Sequence, residues 1–132
     1  MVDEKTANPI RVLVVEDDQA AMEVFADMLD ALGATVASAG SVAQARSLLE
    51  TFRPTLVITD IYMPGANGLV MRAEVRQWNA ACPVVALTGA DDAALTPDAG
   101  FFAVLRKPVS MTTLEALLRA VASFIRRSPT RS

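Results

Sequence analysis

Histidine is absent from this 132-residue chain, and cysteine occurs once, at Cys82. The first absence excludes Ser-His-Asp and Cys-His catalysis, the usual zinc sites and any phosphohistidine carried by the chain itself. The second excludes an internal disulfide. Cys82 precedes Pro83 and an apolar run, which predicts a buried structural thiol rather than a reactive one. No apolar run approaches the roughly 20 residues of a membrane-spanning helix, and residues 1–9 hold no apolar segment of the secretory kind. These absences predict a soluble, cytoplasmic protein that makes no use of a membrane. Positive charge is also in short supply: the net charge of −3 argues against a nucleic-acid surface. Arg126, Arg127 and Arg131 make a small basic tail, read as neutralising a helix C-terminus rather than as a binding segment.

What is present suffices for one core. Hydrophobic residues make up 52% of the chain, and its length fits one domain. We expect flexible ends at residues 1–9 and 128–132 around a domain at 10–127. Short runs rich in β-branched residues occur at 10–15, 35–39, 56–59, 84–88 and 102–105. Several are almost continuously apolar, as strands of a parallel sheet buried on both faces must be. Helical patterns fall between them. Residues 20–32 put Val24, Met28 and either Phe25 or Leu32 on one face; residues 42–51 do so with Ala45, Leu48 and Leu49, behind Ser41 as N-cap. A third helix is expected over 68–78 and a last over 111–127, with Ser110 as cap and Leu114, Leu117, Leu118, Val121 and Ile125 buried. Gly33 marks the end of the first helix, at a left-handed position. Five strands alternating with helices predict an α/β, doubly wound, five-stranded parallel sheet. Such sheets carry their sites at the carboxyl ends of the strands.

Those ends hold Glu16, Asp17 and Asp18 after the first strand, Asp60 at the third, Thr88 at the fourth and Lys107 after the fifth. Clustered carboxylates repel unless a cation or protons compensate, and a hard, oxygen-seeking Mg²⁺ matches them. An ionised Asp60 can attack phosphorus to give an acyl phosphate. Phosphoryl transfer then asks for charge neutralisation and positioning, which Lys107 and Thr88 can supply. Each residue alone has a plainer reading. The acidic triplet suits a helix N-terminus, Thr88 a strand end, Lys107 a solvated surface, and Asp60 the start of a turn before Met63–Pro64–Gly65. Their joint placement at four strand ends favours the chemical reading.

Four segments carry a resemblance to a known family: VLVVEDDQ (12–19), VITDIYMPGANG (57–68), VVALTG (84–89) and VLRKPVS (104–110). Through them the chain resembles the bacterial receiver domains of two-component response regulators, over nearly its whole length. The resemblance implies the flavodoxin-like (βα)5 fold and a phosphoryl group taken by Asp60 from a sensor histidine kinase or histidine phosphotransfer protein. It implies Asp17 as a direct Mg²⁺ ligand, Glu16 as a water-mediated one, the backbone carbonyl of Tyr62 as a further ligand, and Asp18 as part of the first helix. Thr88 matches the switch hydroxyl, and Lys107 the phosphate-binding lysine before a cis proline.

Departures from the family pattern matter as much. Val104 stands where most members carry an aromatic residue that rotates inward on phosphorylation. The stretch from Gly89 to Gly100 is shorter than usual by roughly one helical turn and contains Pro97. The resemblance therefore implies a short or irregular fourth helix and an altered output surface. Tyr62 and Ala90 occupy the two positions that tune the lifetime of the phosphoryl group. Ala90 cannot orient water, and Tyr62 is bulky, which implies slow-to-moderate self-dephosphorylation. We expect a phosphoacceptor signalling domain, not an enzyme turning over external substrates, with no fused output domain, monomeric or weakly dimeric. A phosphohydrolase would want an acid/base carboxylate at Tyr62. A degenerate receiver acting as an interaction module, or the receiver part of a hybrid kinase, remain as alternatives.

Overall fold

The computed structural model describes residues 10–63, 66–89 and 100–127. Its strands run β1 (Arg11–Val15), β2 (Thr35–Ala39), β3 (Leu56–Asp60), β4 (Tyr62–Met63), β5 (Ala66–Asn67), β6 (Val84–Thr88) and β7 (Ala103–Arg106). Among the described residues the helices are α1 (Gln19–Ala31), α2 (Val42–Thr51), α3 (Gly68–Trp78) and α4 (Met111–Arg127). The main sheet is five-stranded, in the order β2-β1-β3-β6-β7, and every pairing in it is parallel. This is the flavodoxin-like doubly wound order, whose switch point lies between the first and third strands. The expected fold class is what the structure shows.

Alternating side chains of the strands feed two cores. Val12, Val14, Leu56, Ile58, Val85 and Leu87 meet Met22 and Leu29 of α1 and Leu114, Leu118 and Val121 of α4. Leu13, Val15, Val57 and Val84 meet Ala45 and Leu49 of α2 and Met71 and Val75 of α3. Central strands sandwiched in this way are apolar along most of their length, which is why β1, β3 and β6 read as nearly continuous hydrophobic runs that turn polar only at their ends.

The caps fall where the sequence puts them. Ser41 Oγ accepts from the Gln44 amide at 3.1 Å, and Ser110 Oγ from Thr113 at 3.1 Å. Gly33 has φ 94°, a conformation that favours glycine. The buried face of α1 differs from expectation only at Val24; Phe25, Met28 and Leu32 pack against the core as expected. Met22 and Leu29 are its buried residues, whereas Val24 is 61% exposed. Met22, Phe25, Leu29 and Leu32 sit three or four positions apart and form the stripe that meets the core; Val24 falls off it. The short hairpin β4–β5, Tyr62 paired with Asn67, was not anticipated beyond a turn near Met63–Pro64–Gly65. The expectations for helix four, Ala90 and both chain ends fall on residues outside those described.

Candidate functional site

Register alone brings the carboxylates together. Val15 pairs with Thr59, so the next residue of each strand, Glu16 and Asp60, stand side by side where β1 and β3 end. Glu16 is fixed by its amide, which donates to Ala39 O at 3.0 Å, and its Oε2 accepts from the Asp18 amide at 3.1 Å. Asp18 turns the other way. Its Oδ1 accepts from the Ala21 amide at 3.1 Å, which makes it the N-cap of α1. Carboxylate oxygens of Glu16, Asp17 and Asp60 lie within 4.8 Å of one another. Glu16 and Asp60 are buried, at 5% and 9% exposure, while Asp17 is exposed.

Lys107 closes the cluster from the far side of the sheet. Its amide donates to Thr88 O at 2.8 Å, which anchors it beside the end of β6. Its Nζ lies 2.9 Å from Asp60 Oδ1 and 3.0 Å from Glu16 Oε1. The bond that follows, Lys107–Pro108, is cis. Burial pushes the Asp60 carboxyl above the ordinary carboxylate range, and Glu16 adds to this against the pull of Lys107. Burial works against the charge on Lys107, but its bonds to Asp60 and Glu16 prevail and hold its pKa above the usual value. One ammonium faces three carboxylates, so negative charge remains in excess. The donors are all hard oxygens, and such a set fits Mg²⁺ better than a softer ion.

The remaining expected residues are placed as follows. Thr88 is buried at the end of β6, and its hydroxyl donates to Gly89 O at 2.9 Å. Tyr62 lies two residues beyond Asp60 in β4, with its side chain 57% exposed. Sequence reasoning gave no role to Gly68. A Cβ there would lie 2.8 Å from Ile61 Cδ1 and 3.0 Å from Asp60 O, and its amide donates to Ile61 O at 2.8 Å. The first turn of α3 thus presses against the backbone of Asp60. The signal was the second glycine of VITDIYMPGANG.

Comparison with known proteins is consistent across sequence and structure. The family model described as response regulator receiver domain matches residues 12–119. Response regulator MprA of Mycobacterium sp. (strain KMS) is 33% identical over 116 residues, covering 86% of this chain and 50% of that protein. Transcriptional regulatory protein DpiA of Escherichia coli (strain K12) is 32% identical over 111 residues, covering 80% and 49%. The chain therefore spans about half the length of these curated relatives. Among solved structures, a response regulator receiver domain protein from Clostridium thermocellum superposes with a TM-score of 0.77 at 29% identity, covering 90% of this chain and 96% of that one. A CheY-like receiver domain from Methylobacillus flagellatus gives 0.79 at 28% identity, covering 86% and 99%.

Proposed function

This chain belongs to the response regulator receiver domain family of two-component signalling, and from that premise we propose that Asp60 is its phosphoacceptor. The observation that carries the reading is the bridge from Lys107 to Asp60 and Glu16 at the strand ends, with Asp17 in the same cluster. On this reading a carboxylate oxygen of Asp60 attacks the phosphorus of a phosphohistidine on a sensor kinase or histidine phosphotransfer protein. The P–O bond forms as the P–N bond breaks, and the imidazole leaves with the electron pair. Lys107 shifts from Asp60 Oδ1 to a phosphoryl oxygen, so the ammonium that balances the carboxylate goes on to balance the phosphate. Thr88 turns its hydroxyl from Gly89 O to another phosphoryl oxygen. Glu16, Asp17, Asp60 and the Tyr62 carbonyl would hold Mg²⁺, which supplies neutralisation of the phosphoryl charge.

The chain works, on the same reading, in the cytoplasm and through protein contacts; no described helix is long and apolar enough to cross a membrane. Residue 104 on β7 is a valine, 47% exposed, so on this reading the readout works without an aromatic rotor at that position. The test is incubation with Mg²⁺ and acetyl phosphate, read by intact mass. Gain of one phosphoryl group, slow loss of it, and no gain in Asp60→Asn are the expected results. Sustained turnover of a phosphate ester would mark a hydrolase instead. No metal-dependent labelling, from acetyl phosphate or a cognate kinase, would leave a degenerate interaction module.

A further inference from the structure

Away from Asp60, at the amino ends of β6 and β7, a cavity of about 260 Å³ opens between α3 and α4. Arg72 and Arg76 of α3 supply its charge, and Phe101, Phe102 and Phe124 its aromatic lining. Phe102 and Phe124 meet edge to face, with centroids 5.4 Å apart. The two arginines are one helical turn apart, so their like charges share a helix face and repel. The ion pairs among the described residues employ Arg46, Lys107 and Arg119; neither Arg72 nor Arg76 has a carboxylate partner there. Arg72 Nε is buried with no hydrogen-bond partner, a cost that folded proteins seldom retain without a use.

The backbone makes room for these groups. Gly100 has φ +86°, and a Cβ there would approach Arg72 Nη1 to 2.7 Å and Arg76 Nη2 to 3.4 Å. A side chain at that position would displace the guanidinium groups. Cys82 also lines the cavity. Burial pushes its thiol up to about 12, so at neutral pH it presents no thiolate to repel an anion.

We propose that this cavity binds a small aromatic carboxylate, its anionic end between Arg72 and Arg76 and its ring against the phenylalanines. A planar guanidinium fork matches a carboxylate, and aromatic rings pack well edge to face. Drug-sized ligands occupy pockets of roughly 300–1,000 Å³, so a cavity of about 260 Å³ suits a single-ring compound. Binding here is independent of phosphoryl capture at Asp60.

Benzoate titrated into the full chain, followed by the amide signals of Gly100 and Phe101 in two-dimensional NMR, tests the proposal. Saturable shifts are expected, retained in Asp60→Asn and not reproduced by benzyl alcohol or inorganic phosphate. Arg76 is exposed, and Arg76→Gln is expected to fold normally and weaken binding about tenfold, the scale of one charge-assisted hydrogen bond. Arg72→Gln should weaken it by a similar factor. Shifts that fail to saturate would overturn the site. Unchanged binding in both arginine variants would do the same, and equal binding of phosphate or benzyl alcohol would overturn the ligand class.

Discussion

β3 and β7 are parallel strands of one sheet, yet they are built to opposite specifications. β3 is buried at all five positions, and Asp60 closes it. β7 alternates between half-buried and exposed residues, with Val104 on the open side and Lys107 just beyond its end. β3 lies in the middle of the sheet with a partner on each side; β7 lies at its edge and pairs only with β6. The proposed acceptor, Asp60, thus ends a central strand that is buried throughout. The Lys107 ammonium beside it follows an edge strand whose residues are half-buried or exposed. If Asp60 captures a phosphoryl group, capture takes place at the packed centre of the sheet, with the more exposed strand at its edge.

The sharpest way to break this contrast is a matched pair of truncations. Ile58→Ala, at a fully buried position of β3, should cost about 2–5 kcal/mol of unfolding free energy. Val104→Ala on β7 should stay within about 0.5 kcal/mol. Equal costs in urea titration would show that the two strands are equally constrained. A smaller effect is expected from Gly68→Ala, whose new methyl group would push on Ile61 and on the Asp60 backbone. We expect a loss of about 1–3 kcal/mol, together with slower labelling by acetyl phosphate. Unchanged labelling would mean that the end of β3 yields more easily than its burial suggests.

The third prediction concerns sign. The fold raises the pKa of Asp60, so the folded chain holds that proton more tightly than the unfolded one. The contribution of Asp60 to stability is then best at low pH and declines as pH climbs from about 3.9 through its raised value. At neutral pH without Mg²⁺ the charged carboxylate is a burden that Asp60→Asn removes. The variant should unfold at higher urea than the wild type at pH 7, and the gap should close on acidification. A variant less stable than wild type at pH 7 would show that the pairing with Lys107 outweighs burial.

Much of this was legible in the sequence, for identifiable reasons. Central strands announce themselves because burial on both faces leaves little place for polar residues before the strand ends, and the helices over 42–51, 68–78 and 111–127 begin and end as expected. The clustering of Glu16, Asp17, Asp60 and Lys107 was legible because strand ends are where such sheets collect their chemistry. Val24 was misplaced because α1 offers more apolar residues than its buried stripe can use, and periodicity alone does not choose among them. Gly68 escaped because its role is a backbone approach across seven residues, which no side-chain pattern encodes. The close approach of Arg72 to the Gly100 backbone, and the cavity beside them, depends on segments apart in the chain. Nothing local marks it.

Lys107 has a consequence in time. Its backbone is tied to Thr88 O, and its ammonium already touches Asp60, the group proposed to react. On that proposal the cation need not be recruited when a donor arrives; only the end of its side chain has to swing from Asp60 to the incoming group. The proposed transfer then waits on the encounter with a donor and on the bond exchange, not on delivery of a positive charge.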